Sequence, residues 1–82
     1  MKKKHPWLVD IGKNIRAIRE SKGLSQEELA ELVEIDRTYI GGIERGERNV
    51  ASLNLIRIAI ALNTEVGNLF PRLDMLPLIS RY

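Results

Sequence analysis

The side chains of this chain that could do chemistry are cationic and hydrogen-bonding ones. His5 is the only histidine and there is no cysteine. No catalytic set on two imidazoles, no thiolate zinc site and no disulfide framework can therefore be built. No paired carboxylates, metal-ligand set or phosphate loop is visible, and Gly41-Gly42 alone is no nucleotide motif. An enzyme is the least supported class, and no cofactor or metal is expected. What remains is recognition by charge and hydrogen bonding. Lys13, Arg16, Arg19, Lys22, Arg37, Arg45 and Arg48 are spread through the chain, whereas Glu27, Glu28, Glu31 and Glu34 cluster. The net charge is only +2, so where the cations sit matters more than their excess. The acidic cluster reads as a solvated helix face turned away from any anionic ligand. Lys13 and Arg16 read as solvated face too.

These side chains need elements to position them. The 82 residues allow one domain spanning 1–82, with a core over about 8–70. A chain this short buries only about 60–65% of its unfolded surface, so a partner that covers further apolar area would help it. Met1-Lys2-Lys3-Lys4 is basic but no apolar run follows, so neither a signal peptide nor a membrane-spanning helix is expected, and the predicted location is cytoplasmic. The first seven residues and the end beyond Pro77 are the disorder candidates, with Trp7 a possible anchor of the first helix in the core.

The periodicity predicts an all-α chain of five helices. Leu8, Ile11, Ile15 and Ile18 make one apolar stripe over Leu8 to Lys22, and Gly23 suits the left-handed stop. Ser25 with Glu28 three residues on is a capping box. The second helix then turns Leu29, Leu32 and Val33 inward, with Ala30 at a close approach. Asp36 caps a third helix with Ile40 and Ile43 apolar and Gly46 past its end. A fourth helix over about Ser52 to Leu62 is expected to bury Leu53, Ile56, Ala59 and Ile60, with Leu55 and Ile58 flanking. A short fifth spans about Glu65 to Phe70, ended by Pro71.

Two short helices joined by a tight turn fit a helix-turn-helix over Gln26 to Arg45. Ile40 and Ile43 point to the core, leaving a free face with Arg37, Thr38, Gly41 and Gly42. Such a helix can lie in a DNA major groove about 12 Å wide. Leu24-Ser-Gln-Glu-Glu-Leu-Ala-Glu-Leu-Val33 resembles the second helix of the lambda-repressor and Cro type. Asp36-Arg-Thr-Tyr-Ile-Gly-Gly-Ile-Glu-Arg-Gly-Glu-Arg-Asn49 is similar to the recognition segment of restriction–modification controller proteins. The likeness runs over roughly residues 10 to 70 by motif spacing.

The resemblance implies a five-helix lambda-repressor-like fold and a role for particular residues. Arg37 and Thr38 would read bases, arginine matching guanine O6 and N7. Gln26, Arg45, Arg48 and Asn49 would contact phosphates. Tyr39 suits either a backbone contact or packing in the core or against a partner. Arg19 and Glu44 would form a partly buried ion pair that orients the third helix. Two positions depart from the pattern: Glu34 stands where glycine is frequent, and Gly41 where serine is. Each helix-interior glycine costs roughly 1 kcal/mol against alanine, so either close approach to DNA compensates or the helix is soft when free.

One recognition helix reads few base pairs, and proteins of this type pair across half-sites about 34 Å apart. Val66, Leu69, Phe70, Leu73 and Leu76 are the candidate homodimer interface, in a C-terminal segment over 64–82. The resemblance implies a dimeric regulator on an inverted repeat in double-stranded DNA near its own promoter. It would activate from one site, repress when a second fills, and so delay the endonuclease behind the methyltransferase. RNA polymerase is a further partner in that scheme. A phage-type or antitoxin-type repressor and a protein-interaction module are the competing readings.

Overall fold

Local signals set the ends of the helices in a computed structural model that describes residues 4–75. The order is α1 (Pro6–Ser21), α2 (Gln26–Val33), α3 (Arg37–Glu44) and α4 (Ser52–Ala61), then two 3-10 turns, Val66–Leu69 and Leu73–Met75. Among the described residues there is no strand. Among the described residues there are thus four α-helices where five were expected. The fifth, with glycine inside it and proline just after it, closes only as the turn Val66–Leu69.

α1 starts two residues before the expected Leu8, so Pro6 and Trp7 are helical and not disordered. Pro6 occupies the first turn, where its missing N–H costs nothing. The His5 ring nitrogen Nδ1 accepts from the Trp7 N–H at 3.1 Å. Trp7 is half-buried beside the His5 ring rather than sunk in the core. At the other end Gly23 takes φ 72°. The Leu24 N–H reaches the Arg19 carbonyl at 3.1 Å and the Gly23 N–H the Glu20 carbonyl at 3.0 Å, the paired bonds of a glycine-stopped helix. The Ser25–Glu28 capping box forms in both directions, and Asp36 caps α3 by accepting from the Thr38 N–H at 2.8 Å. Glu34 does adopt the left-handed conformation, φ 60°, and the chain turns there so that the Ile35 N–H returns to the Ala30 carbonyl.

The core is built from Ile11, Ile15, Leu29, Ala30, Val33, Ile40, Ile43, Val50, Leu55, Ile58, Ala59, Leu62 and Leu69. Two expectations about helix faces are corrected. Leu32 is 59% exposed; at 3.6 residues per turn it falls well round the helix from Leu29, Ala30 and Val33. On α4 the buried stripe is Leu55, Ile58, Ala59 and Leu62, whereas Leu53, Ile56 and Ile60 stand 68%, 46% and 73% exposed. Both sides of α4 carry aliphatic residues at helical spacing, so periodicity alone could not choose between them.

Leu69 needs a third correction. It is fully buried in the chain's own core, pinned there by the Asn14 side-chain amide, which donates to the Leu69 carbonyl at 3.2 Å and the Phe70 carbonyl at 3.3 Å. It has no surface to offer a partner. Val66, Phe70 and Leu73 are exposed. Leu76 and the segment beyond Pro77 lie outside the described residues. No helix among the described residues is long and apolar enough to cross a membrane.

Candidate nucleic-acid interface

The orientation of α3 is set from behind. Arg19 of α1 meets Glu44, the last residue of α3, through two parallel bonds: Nε to Oε2 at 2.6 Å and Nη2 to Oε1 at 3.0 Å. Their side chains are 9% and 2% exposed. The remaining Arg19 nitrogen, Nη1, donates to the Leu24 carbonyl at 2.6 Å. From α2, the Gln26 amide nitrogen donates to the same Glu44 Oε1 at 3.0 Å. One carboxylate thus ties α1 and α2 to α3, and its arginine partner also holds the turn after α1. The hydrogen bond that Arg19 donates to Glu44 raises the pKa of Arg19 against the opposing effect of its burial. Forked arginine–carboxylate pairs fix direction as well as distance. The expected Arg19–Glu44 pair is therefore present, and it is buried.

Beside this hub α1 and α3 touch backbone to backbone. A β-carbon on Gly12 would sit 2.6 Å from the Glu44 carbonyl oxygen, so only glycine permits the crossing. Nothing in the sequence marks Gly12, because a glycine inside a helical stripe does not announce its neighbour.

The outer side of α3 carries the expected reading residues. Arg37 and Thr38 are exposed in its first turn, at the end where free N–H groups point outward. Arg37, Gly41 and Arg45 follow one another a turn apart. Gln26 is half-buried: one amide proton serves Glu44, leaving the other free to donate outward. Tyr39 is half-buried and packs against the core, so its packing role is realised and its ring lies at the edge of the face.

The residues after α3 fold back over it. The Arg48 guanidinium carbon lies 5.9 Å from the Tyr39 ring centroid. A β-carbon on Gly42 would lie 2.9, 3.8 and 3.4 Å from the Cγ, Cδ and Nε of Arg48. One on Gly41 would lie 3.0 Å from Arg45 Nη1 and 3.6 Å from Gln26 Oε1. Arg45 donates to Glu47 at 3.0 Å, and Lys4 approaches the other oxygen of Glu47 at 3.7 Å. The hydrogen bond from Arg45 holds the Glu47 carboxyl below its ordinary pKa. Glu47 went unnoticed in the sequence, since a loop residue two places from its partner leaves no periodic signal. Asn49 is exposed. It also borders an apolar cavity of about 650 Å³ lined by Trp7, Leu8, Ile11, Phe70 and Leu73. The structure thus gathers Gln26, Arg37, Thr38, Tyr39, Arg45 and Arg48 around α3, and sets Asn49 nearer the start of α1.

Known proteins share this fold. The helix-turn-helix family pattern matches residues 15–69. Control protein C.SmaI of Serratia marcescens is 50% identical over 62 residues, covering 76% of this chain and 74% of its own. The restriction–modification controller protein C.AhdI of Aeromonas hydrophila superposes with a TM-score of 0.75 at 51% identity, covering 77% of this chain and 96% of its own. The controller protein C.Esp1396I, solved as a tetramer in complex with its natural 35 base-pair operator, gives a TM-score of 0.70 at 39% identity over 76% of this chain and 82% of its own.

Proposed function

The chain belongs to the helix-turn-helix family and, within it, to the restriction–modification control proteins, and from that premise we propose how it binds DNA and what it regulates. α3 enters the major groove of an inverted repeat, one copy from each subunit of a homodimer. Arg37 and Thr38 read base edges. Gln26, Tyr39, Arg45, Arg48 and Asn49 hold the sugar–phosphate backbone. The dimer controls transcription of its own gene and of an endonuclease gene in the cytoplasm, with RNA polymerase as its partner when it activates.

The observation that carries this reading is the Glu44 hub. It holds α3 on α1 and α2 and leaves Arg37 and Thr38 outward at its start. Preset geometry of this kind is what base reading needs, because a bidentate base contact tolerates little angular error. The homodimer is supported by the apolar residues left uncovered on α4 and after it, Leu53, Ile56, Ile60, Val66, Phe70 and Leu73. We place the interface on this C-terminal part, without Leu69; Leu76 lies outside the described residues. The tetrameric C.Esp1396I complex supports two dimers on one operator.

Selection of bound sequences from a random pool of double-stranded DNA tests the proposal. Recovery of an inverted repeat with half-sites about one helical turn apart is expected. Enrichment of a single unrepeated site would overturn the dimeric reading, and no enrichment at all would overturn sequence recognition.

A further inference from the structure

Gly42 is buried although it faces away from the core, and the side chain that buries it is Arg48. The three atoms nearest to a β-carbon placed there all belong to Arg48, the closest at 2.9 Å. Real β-carbons essentially never approach other atoms that closely, so any larger residue would make the Arg48 side chain shift from its place against α3. One turn back on the same face stands Tyr39, with the Arg48 guanidinium 5.9 Å from its ring centroid. Arg48 therefore lies along a trough whose floor is Gly42 and whose end is an aromatic ring. Arginine stacks on such a ring through its charge and its flat face.

We propose that Gly42 is a positioning residue for DNA binding. It acts through Arg48, seating its side chain against Tyr39 so that the guanidinium is held beside the recognition helix before DNA arrives. A helix-interior glycine lowers helix stability relative to alanine, and here that cost accompanies an arginine lying against it. A free arginine must give up rotamer freedom on binding, whereas a seated one has already lost it. Gly41 differs. Its nearest neighbour is the far end of the Arg45 side chain at 3.0 Å, which can swing aside without leaving its partner Glu47.

The inference rests on the reading of Arg48 as a DNA contact, and the test separates the two. Gly42→Ala, Arg48→Ala and the double variant are compared for operator affinity, for thermal midpoint and by NMR of the Arg48 side-chain protons. In the wild type those protons are expected upfield, shifted by the Tyr39 ring. Gly42→Ala should lose that shift and bind roughly three- to tenfold more weakly, the range for re-ordering one long side chain. Its thermal midpoint should hold or rise. In the Arg48→Ala background the same substitution should change affinity no further. Gly41→Ala should leave the Arg48 resonances in place. An equal loss of affinity in both backgrounds, or an unchanged Arg48 shift in Gly42→Ala, would overturn the seat. If Arg48→Ala binds as tightly as the wild type, the DNA contact assigned to Arg48 is what fails, and the NMR shift still decides whether Gly42 positions it.

Discussion

The region from α1 to α3 and the region from α4 onward are held together by different physics. In the first, helix ends are closed by side chains: His5, Ser25 with Glu28, and Asp36. A buried carboxylate receives donors from α1 and α2. In the second, Ala51 stands at the N-cap of α4 and supplies no side-chain cap. Its attachment is almost wholly apolar, through Leu55, Ile58, Ala59, Leu62 and Leu69. It also leaves three aliphatic side chains of α4 in solvent. The lesson is one of division of labour. Directional bonds go where a face must point at an outside object, and non-directional burial goes where surface has only to be covered. The first region is complete in one chain. The second keeps apolar area that a second copy would cover.

The largest expected effect comes from cutting the hub. Arg19→Ala leaves Glu44 buried without its main partner and should cost about 3–5 kcal/mol of stability, measured by chemical denaturation. Arg19→Lys should recover little of it, since an ammonium cannot supply the forked pair and the Leu24 bond together. An Arg19→Ala protein of unchanged stability would erase the contrast between the two regions.

In the second region, Leu69→Ala should cost about 2–5 kcal/mol because it empties a filled core position. Ile60→Ser, on the exposed side of α4, should change monomer stability by no more than about 0.5 kcal/mol and yet weaken self-association in sedimentation. If Ile60→Ser destabilises the fold as Leu69→Ala does, α4 has been faced the wrong way. If it leaves association untouched, the partner surface lies elsewhere.

Effects on DNA should be smaller and differ in kind. Arg37→Ala should weaken the best site by about 1–3 kcal/mol and relax preference at one base pair. Arg48→Ala should weaken all sequences alike and lower the slope of log affinity against log salt by about 0.9 for each phosphate left unneutralised. Binding titrations on matched and mismatched sites at several salt concentrations separate the two.

The smallest effect is pH-dependent. Hydrogen bonds from the Ser25 backbone and hydroxyl hold the Glu28 carboxyl below its ordinary value. A carboxyl whose pKa falls on folding stabilises the folded state above its unfolded pKa and loses that contribution as pH falls through the folded value. The α2 cap should therefore stay intact at neutral pH and weaken only below the ordinary carboxylate range. Thermal midpoints of Glu28→Gln should fall less steeply with acidification than those of the wild type.

What the sequence disclosed follows from the range of each signal. Ser25 with Glu28, Asp36 and Gly23 were legible because caps and stops act over three or four residues, and Glu34 stood out only against the pattern of the family it resembles. The Arg19–Glu44 pair was legible only through resemblance, as the partners stand 25 residues apart. The buried side of α4 was hidden because Leu53, Ile56 and Ile60 imitate a core stripe as well as Leu55, Ile58 and Leu62 do. Leu69 looked like spare apolar surface until the turn over Val66–Leu69 folded it inward. Gly12 and Gly42 were opaque for a different reason. A glycine records that room is needed, and only the structure says for what: the α3 backbone in one case, an arginine in the other.

The Glu44 hub has a consequence for how such a protein could change its preferred site. The side chains that fasten α3 lie on one side of the helix or at its end, at Tyr39, Ile40, Ile43 and Glu44, while the side chains of Arg37 and Thr38 take no part in holding it. The lettering can be rewritten without loosening the plate. New operator preferences are open to single substitutions at the exposed positions, each made on a helix whose seating was settled by other residues.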